Sequence, residues 1–305
     1  MEKTKKRNLK SVRDKRFIFF MLLPAFIFVA IFTYYPLLKG VTMAFQEYNL
    51  FNLNNTKWIG LDNFKEILTP SPMNNFYQVL FNTLKWVVVS LFFQFMIGFA
   101  LALLLNKPFK GVGLYKGIAF MPYAVSGFVI GIVWRWMYNG TSGVLNDLFM
   151  RLGIIDQSIG FLAQTETALN SVIVANVWYG IPFFTIMIGA ALQGVPLDLY
   201  EAAKVDGAGA FRRFTSITLP YIKPVLVLTL LLRVIWIFNM PDMIYSMTNG
   251  GPAGSSRILT SYMIEYVYSN DYGMGSAFGV IIMVLLSVYT LIYLRFTKFE
   301  DLGDY

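Results

Sequence analysis

The chain contains no cysteine and no histidine. Without cysteine there is no disulfide framework, thiolate metal site or thiol nucleophile. Without histidine, imidazole metal sites and histidine-based catalytic triads are excluded as well. Charge is also scarce: 14% of the 305 residues are Asp, Glu, Lys or Arg, against about 25% in soluble globular proteins. A soluble surface has to be covered with polar groups, so this shortage points away from an ordinary soluble domain. No G-x-x-x-x-G-K-[ST] run occurs, and no polar stretch is long enough for a nucleotide-binding domain. What is present is apolar bulk, with 56% hydrophobic residues and a mean hydropathy of +0.57.

Crossing a bilayer core of about 30 Å takes roughly 20 apolar residues of helix. Six stretches reach that length: Phe17–Leu38, Tyr77–Leu105, Leu114–Tyr138, Leu169–Leu192, Tyr221–Met247 and Ala277–Phe296. Pro24, Pro122 and Pro182 fall inside them, where neighbouring helices absorb a kink. The first run is too long for a secretory signal and lacks an A-x-A site, so it reads as a retained anchor. The fold class expected is therefore an all-α membrane protein with six transmembrane helices.

The net charge of +8 becomes informative once the basic residues are placed. Lys and Arg crowd the Met1–Arg16 tail, and Lys107, Lys110, Lys116, Lys204, Arg212, Arg213, Lys223, Arg295 and Lys298 fall on the same side of the membrane. The opposite side holds only Lys39, Lys57, Lys65, Arg151 and Arg257. The positive-inside bias then puts both termini in the cytoplasm of a multi-pass plasma (inner) membrane protein. The basic excess is a topology signal, and no nucleic-acid partner is expected. Residues 1–16 read as a cytoplasmic tail near anionic lipid, and residues 17–305 as one six-helix domain. Gly127/Gly131 and Gly275/Gly279 offer small faces where helices can approach closely.

One cytoplasmic loop, 194–220, is structured. Gly194 ends the fourth span, Pro196 and Asp198 suit a helix start, and Gly207 stops a short helix over Leu197–Asp206. A second helical turn runs from Ala210 to Ser216, before Leu219-Pro220 opens the fifth span. Residue physics leaves two readings open: an amphipathic helix lying on headgroups, or a docking knob with a small-residue face.

Glu201-Ala202-Ala203, then Gly207, then Ile217-x-Leu219-Pro220 resembles the EAA loop of ABC importer permeases. Leu23-Pro24, Thr33-Tyr34-Tyr35-Pro36, Gly60-Leu61-Asp62-Asn63-Phe64, Trp134-Arg135-Trp136 and Thr248-Asn249-Gly250-Gly251-Pro252 resemble carbohydrate-uptake permeases of the maltose and multiple-sugar type. The resemblance implies the type I ABC importer permease fold and an ATP-driven import of a sugar or oligosaccharide. It also implies partners: a second homologous permease forming a heterodimer, two copies of an ABC ATPase and an extracellular solute-binding protein. ATP and Mg would be bound by the ATPase subunits, with no cofactor or metal in this chain and no catalytic residue. Glu201 would meet a basic group of the ATPase, Ala202 and Ala203 would allow close approach, and Gly207 would make the turn. Ile217, Leu219 and Pro220 complete the pattern.

Charges inside spans mark sites, because a mid-bilayer charge costs about 2.5–3.5 kcal/mol on insertion scales. Lys85 and Arg135 lie near span ends, whereas Arg233 falls at mid-membrane. Sugars are held by planar polar groups and aromatic faces, which Asn176, Tyr179, Gly180 and Phe183 offer on the fourth span, and Arg233, Trp236, Asn239 and Asp242 on the fifth. Asn176 and Gly180 resemble the lining of maltose-type permeases, while Arg233 replaces a smaller polar residue there. Two alternatives remain at this point. One is the same architecture importing an anionic solute, such as an acidic oligosaccharide or glycerol phosphate. The other is an ion-coupled secondary transporter.

Overall fold

A computed structural model describes residues 2–53, 55–70 and 75–297, with side chains from Arg16 onward. Lys298 and the basic side chains before Arg16, both used above for orientation, lie outside the described residues. The first helix, α1 (Glu2–Val29), passes through a π turn at Ala30–Tyr34 into α2 (Tyr35–Met43). No residue of Arg16–Met43 is buried, and this span meets the bundle mainly through α2. A two-residue antiparallel pair follows, β1 (Gln46–Glu47) with β2 (Lys57–Trp58), and then α3 (Asp62–Leu68). Asn63 pins this segment by donating to Ala44 O at 2.9 Å and Gln46 O at 3.1 Å.

The second span is α4 (Phe76–Leu105), which starts where the Asn75 side chain accepts from the Gln78 N–H at 3.3 Å. The third is α5 (Val112–Phe120), a 3-10 turn at Met121–Ala124, and α6 (Gly127–Met137). The single run expected over Leu114–Tyr138 is thus corrected: its two halves meet at 99°. Val125 and Ser126 are extended, Pro122 sits in the turn, and the Ser126 hydroxyl accepts from the Val129 N–H to start α6 afresh. After α7 (Val144–Arg151), the fourth span α8 (Ala168–Gln193) carries Pro182 internally, as expected.

Next come α9 (Leu197–Val205), α10 (Ala210–Arg213), a π turn at Phe214–Thr218 and α11 (Leu219–Phe238). The fifth span ends at Phe238, and the expected run to Met247 is corrected. Pro241 has no N–H to continue the helix and disfavours helical backbone at Met240. The chain restarts as α12 (Asp242–Met247), which packs on α6. There Gly131 faces Ser246 so closely that no Cβ would fit. Two helices complete the order: α13 (Leu259–Tyr268), which packs on α14 (Tyr272–Thr297). Gly275 lets the pair close up, since a Cβ there would stand 2.8 Å from Val267 Cγ2. Among the described residues, five helices are long and apolar enough to cross a membrane, or six if the bent pair counts as one span.

Among the described elements, α4 and α8 share the most extensive helix contact. At Gly98 an added Cβ would lie 2.6 Å from Phe184 Cβ and 2.9 Å from Ile181 O, so the backbones touch. The buried apolar side chains form two clusters. One includes Trp86, Val87, Ile173, Ala175, Val234 and Ile237, and the other Ala102, Phe183, Phe184, Ile188, Ile222 and Leu226. On α4, α8 and α11 alike, buried polar residues stand in sequence between the two: Ser90 and Gln94, Asn176, and Thr229 and Arg233.

Candidate functional site

The first site is the α9–α10 element. Helix α9 ends in a glycine-terminated turn: Gly207 takes φ +73°, its N–H reaches Lys204 O at 3.0 Å, and the Ala208 N–H reaches Ala203 O at 2.8 Å. A non-glycine residue would pay a backbone cost in this left-handed conformation, while the surrounding space is open. The hydroxyls of Tyr200 and Thr218 share a hydrogen bond of 2.7 Å, fastening α9 to the π turn below α11. Glu201, Ala202, Leu219 and Pro220 are exposed, Ala203 is half-buried, and Ile217 is half-buried against the Phe184 cluster. Val205 is 89% and Phe211 80% exposed. The element is therefore an anchored knob with a carboxylate, a small-residue face and two bare apolar side chains. Phe211, one of the two bare apolar side chains, did not stand out in the sequence.

The second site is the polar layer between the two apolar clusters. Arg233 is 2% exposed and Gln94 is fully buried. The Arg233 Nε–H donates to Gln94 Oε1 at 2.8 Å, and Gln94 Nε2 donates to the Asn176 carbonyl at 2.8 Å. The guanidinium stacks over Phe183, with Cζ 5.3 Å from the ring centroid, and Phe183 in turn meets Trp236 at 5.3 Å. Tyr179 lies 6.0 Å from Tyr123 of the broken third span. Gly180 makes the layer possible, because a Cβ there would overlap both Gln94 and Arg233 Nη2. Among the described residues, no carboxylate pairs with Arg233. Arg233 Nη2 and both side-chain atoms of Asn176 are buried without a hydrogen-bond partner. Unmet buried donors and acceptors of this kind cost about 1–3 kcal/mol each, more when charged.

Of the residues expected to line a path, Asn176, Tyr179, Gly180, Phe183, Arg233 and Trp236 are brought together. Asn239 is not, and Asp242 joins them only through its charge, which reaches Tyr179. Asn239 is exposed at the end of α11, donating to Ile235 O at 3.0 Å, and Asp242 is exposed at the start of α12, past the end of the span. Gln94 was missed. A neutral amide deep inside the apolar stretch Trp86–Leu105 is a signal that could have found it, since polar residues within spans face the bundle interior. Lys85 lines a separate 390 Å³ pocket with Asn82, Glu166 and Ser255. No cluster of three potential metal ligands occurs among the described residues.

This arrangement matches known proteins along most of its length. A trehalose/maltose transport system permease protein of Thermococcus litoralis is 33% identical over 288 residues, covering 94% of this chain and 96% of that protein. The crystal structure of a bacterial ABC transporter involved in import of the acidic polysaccharide alginate superposes with a TM-score of 0.81 at 27% identity. It covers 96% of this chain and 98% of the matched one. A bacterial alginate ABC transporter in complex with an alginate pentasaccharide-bound periplasmic protein also gives a TM-score of 0.81, at 26% identity, covering 95% of this chain and 96% of the matched one. Residues 94–299, from Gln94 through the knob to the end of the last span, match the binding-protein-dependent transport system inner membrane component family, and the chain belongs to that family of ABC importer permeases.

Proposed function

We propose that the chain is the membrane permease of an ATP-driven importer that moves a sugar or oligosaccharide delivered by an extracellular solute-binding protein. The observation that carries this reading is the exposed knob of α9 and α10, whose second helix runs without interruption into the helix that bears Arg233. In this reading the knob faces the cytoplasm with both termini, as the basic-residue bias indicates. Glu201, Ala202, Ala203 and Gly207 dock on an ATPase subunit, with Ile217, Leu219 and Pro220 securing the knob to α11. The chain is a transport subunit and not an enzyme: two ATPase copies bind ATP and Mg, and a second homologous permease completes the path. Asn176, Tyr179, Gly180, Phe183, Arg233 and Trp236 line that path, where rings stack on sugar faces and polar groups meet hydroxyls.

The relatives support a sugar cargo, one of them being named for trehalose and maltose. An acidic oligosaccharide is the alternative cargo; it draws on the likeness to the alginate importer and on Arg233, with which no carboxylate pairs among the described residues. The deciding experiment is a Glu201→Lys, Gly207→Pro double variant in the reconstituted importer. Membrane insertion is expected to persist while ATP hydrolysis becomes uncoupled from uptake; unchanged uptake would overturn the coupling role.

A further inference from the structure

The buried layer contains one residue with no role in the reading above. Gln94 spends both ends of its amide on other helices: Oε1 accepts from Arg233 Nε on α11, and Nε2 donates to the Asn176 carbonyl on α8. A guanidinium presents its donors in a rigid plane. Fixing Nε from one side and stacking the plane over Phe183 therefore fixes where Nη2 points. It rests in the notch left by Gly180, buried and unpartnered, on the helix whose Asn176 amide is also unpartnered. Donors and acceptors left open in this way are ready for hydroxyl groups, which both donate and accept.

We propose that Gln94 is a positioning residue for transport: it never touches the sugar, but aims Arg233 so that Nη2 and Asn176 meet the cargo's hydroxyl or carboxylate oxygens. A neutral partner suits this task. A carboxylate at position 94 would neutralise the arginine and compete with the cargo for it, whereas an amide orients the charge without cancelling it. The same two bonds also tie α11 to α4 and α8, so the aim of Arg233 depends on all three helices. This inference rests on the sugar-permease reading.

The test uses the complete importer, with both permeases, the ATPases and the binding protein, in vesicles. Labelled maltose, trehalose and alginate pentasaccharide serve as probes, and the permease carries Gln94→Leu, Gln94→Asn, Arg233→Leu or Gln94→Leu with Arg233→Leu. For whichever probe the wild type takes up, Gln94→Leu is expected to raise the KM for uptake about tenfold or more, as loss of one charge-assisted bond implies. The maximal rate should stay within about twofold, because helix packing is retained. Gln94→Asn, which keeps the amide, should recover part of the loss. In the Arg233→Leu background Gln94→Leu should add nothing, since its effect passes through the arginine. A fall in maximal rate at unchanged KM, or multiplying effects in the double variant, would overturn the proposal. Should the wild type take up none of the probes, those three cargoes are excluded, and the same variants are then read by thermal unfolding without sugar. There a double variant no less stable than Gln94→Leu alone supports the linkage, and additive losses overturn it.

Discussion

Gly180 and Gly189 lie on the same helix, yet adding one methyl group should do opposite things at the two positions. At Gly180 the new Cβ falls inside the space held by Gln94 and Arg233 Nη2, whereas at Gly189 nothing lies within 4 Å. Neither end of the Gln94–Arg233 contact can yield freely, because the bond between them is 2.8 Å long and Gln94 is held again by Asn176. Overpacking a tight interior costs about 1–3 kcal/mol, and breaking a hydrogen bond to a charged group about 1.5–3 kcal/mol more. The helix-propensity gain of Ala over Gly returns about 1 kcal/mol. Gly180→Ala is thus expected to be destabilising by about 1.5–5 kcal/mol, and Gly189→Ala neutral or stabilising by up to about 1 kcal/mol. Thermal unfolding of the two purified variants in one detergent reads the difference directly. Equal unfolding midpoints would refute the view that the notch at Gly180 is filled by the arginine layer.

Gly207→Ala is expected to cost about 1–2 kcal/mol from backbone alone, since φ is +73° and no neighbour is near; hydrogen exchange should show loosening confined to α9 and α10, with the spans protected as before. Trp86→Phe removes the bond from Nε1 to Ile237 O at 2.9 Å and leaves a buried carbonyl unmet, a loss of about 1–3 kcal/mol measurable by thermal unfolding. Asn82→Ala deletes donation to Ser255 O at 3.0 Å and Arg257 O at 3.1 Å. Limited proteolysis should then cut the 249–257 loop faster than in the wild type.

The legible parts of the fold were those in which composition and length coincide. The run Tyr77–Leu105 became Phe76–Leu105, and Leu169–Leu192 became Ala168–Gln193, because an uninterrupted apolar stretch has one way to satisfy its backbone in lipid. Hydropathy carries no direction, so the turn at Val125-Ser126 stayed hidden inside a run that is apolar on both sides of it. Likewise Met243, Ile244 and Met247 are as apolar as a span, but they are buried against protein on a separate short helix. Pro241 was the available sign of that break. The knob was legible because its punctuation is chemical: Pro196, Gly207 and Pro220 each mark a boundary. The polar layer was half legible. Arg233 stands out by charge, whereas Gln94 gains its meaning from a partner 139 residues away, a separation no local pattern reports.

The run from Ala210 to Phe238 is continuous over 29 residues, about 43 Å at roughly 1.5 Å per residue. A rod of that length converts angle into distance. A tilt of about 5° about its knob end carries Arg233, roughly 35 Å along, sideways by about 3 Å. That displacement is comparable to the whole length of the bond to Gln94, so small swings leave the arginine seated and larger ones unseat it. In the importer proposed above, the bond to the buried amide is then the contact that has to part before the rod can swing any further.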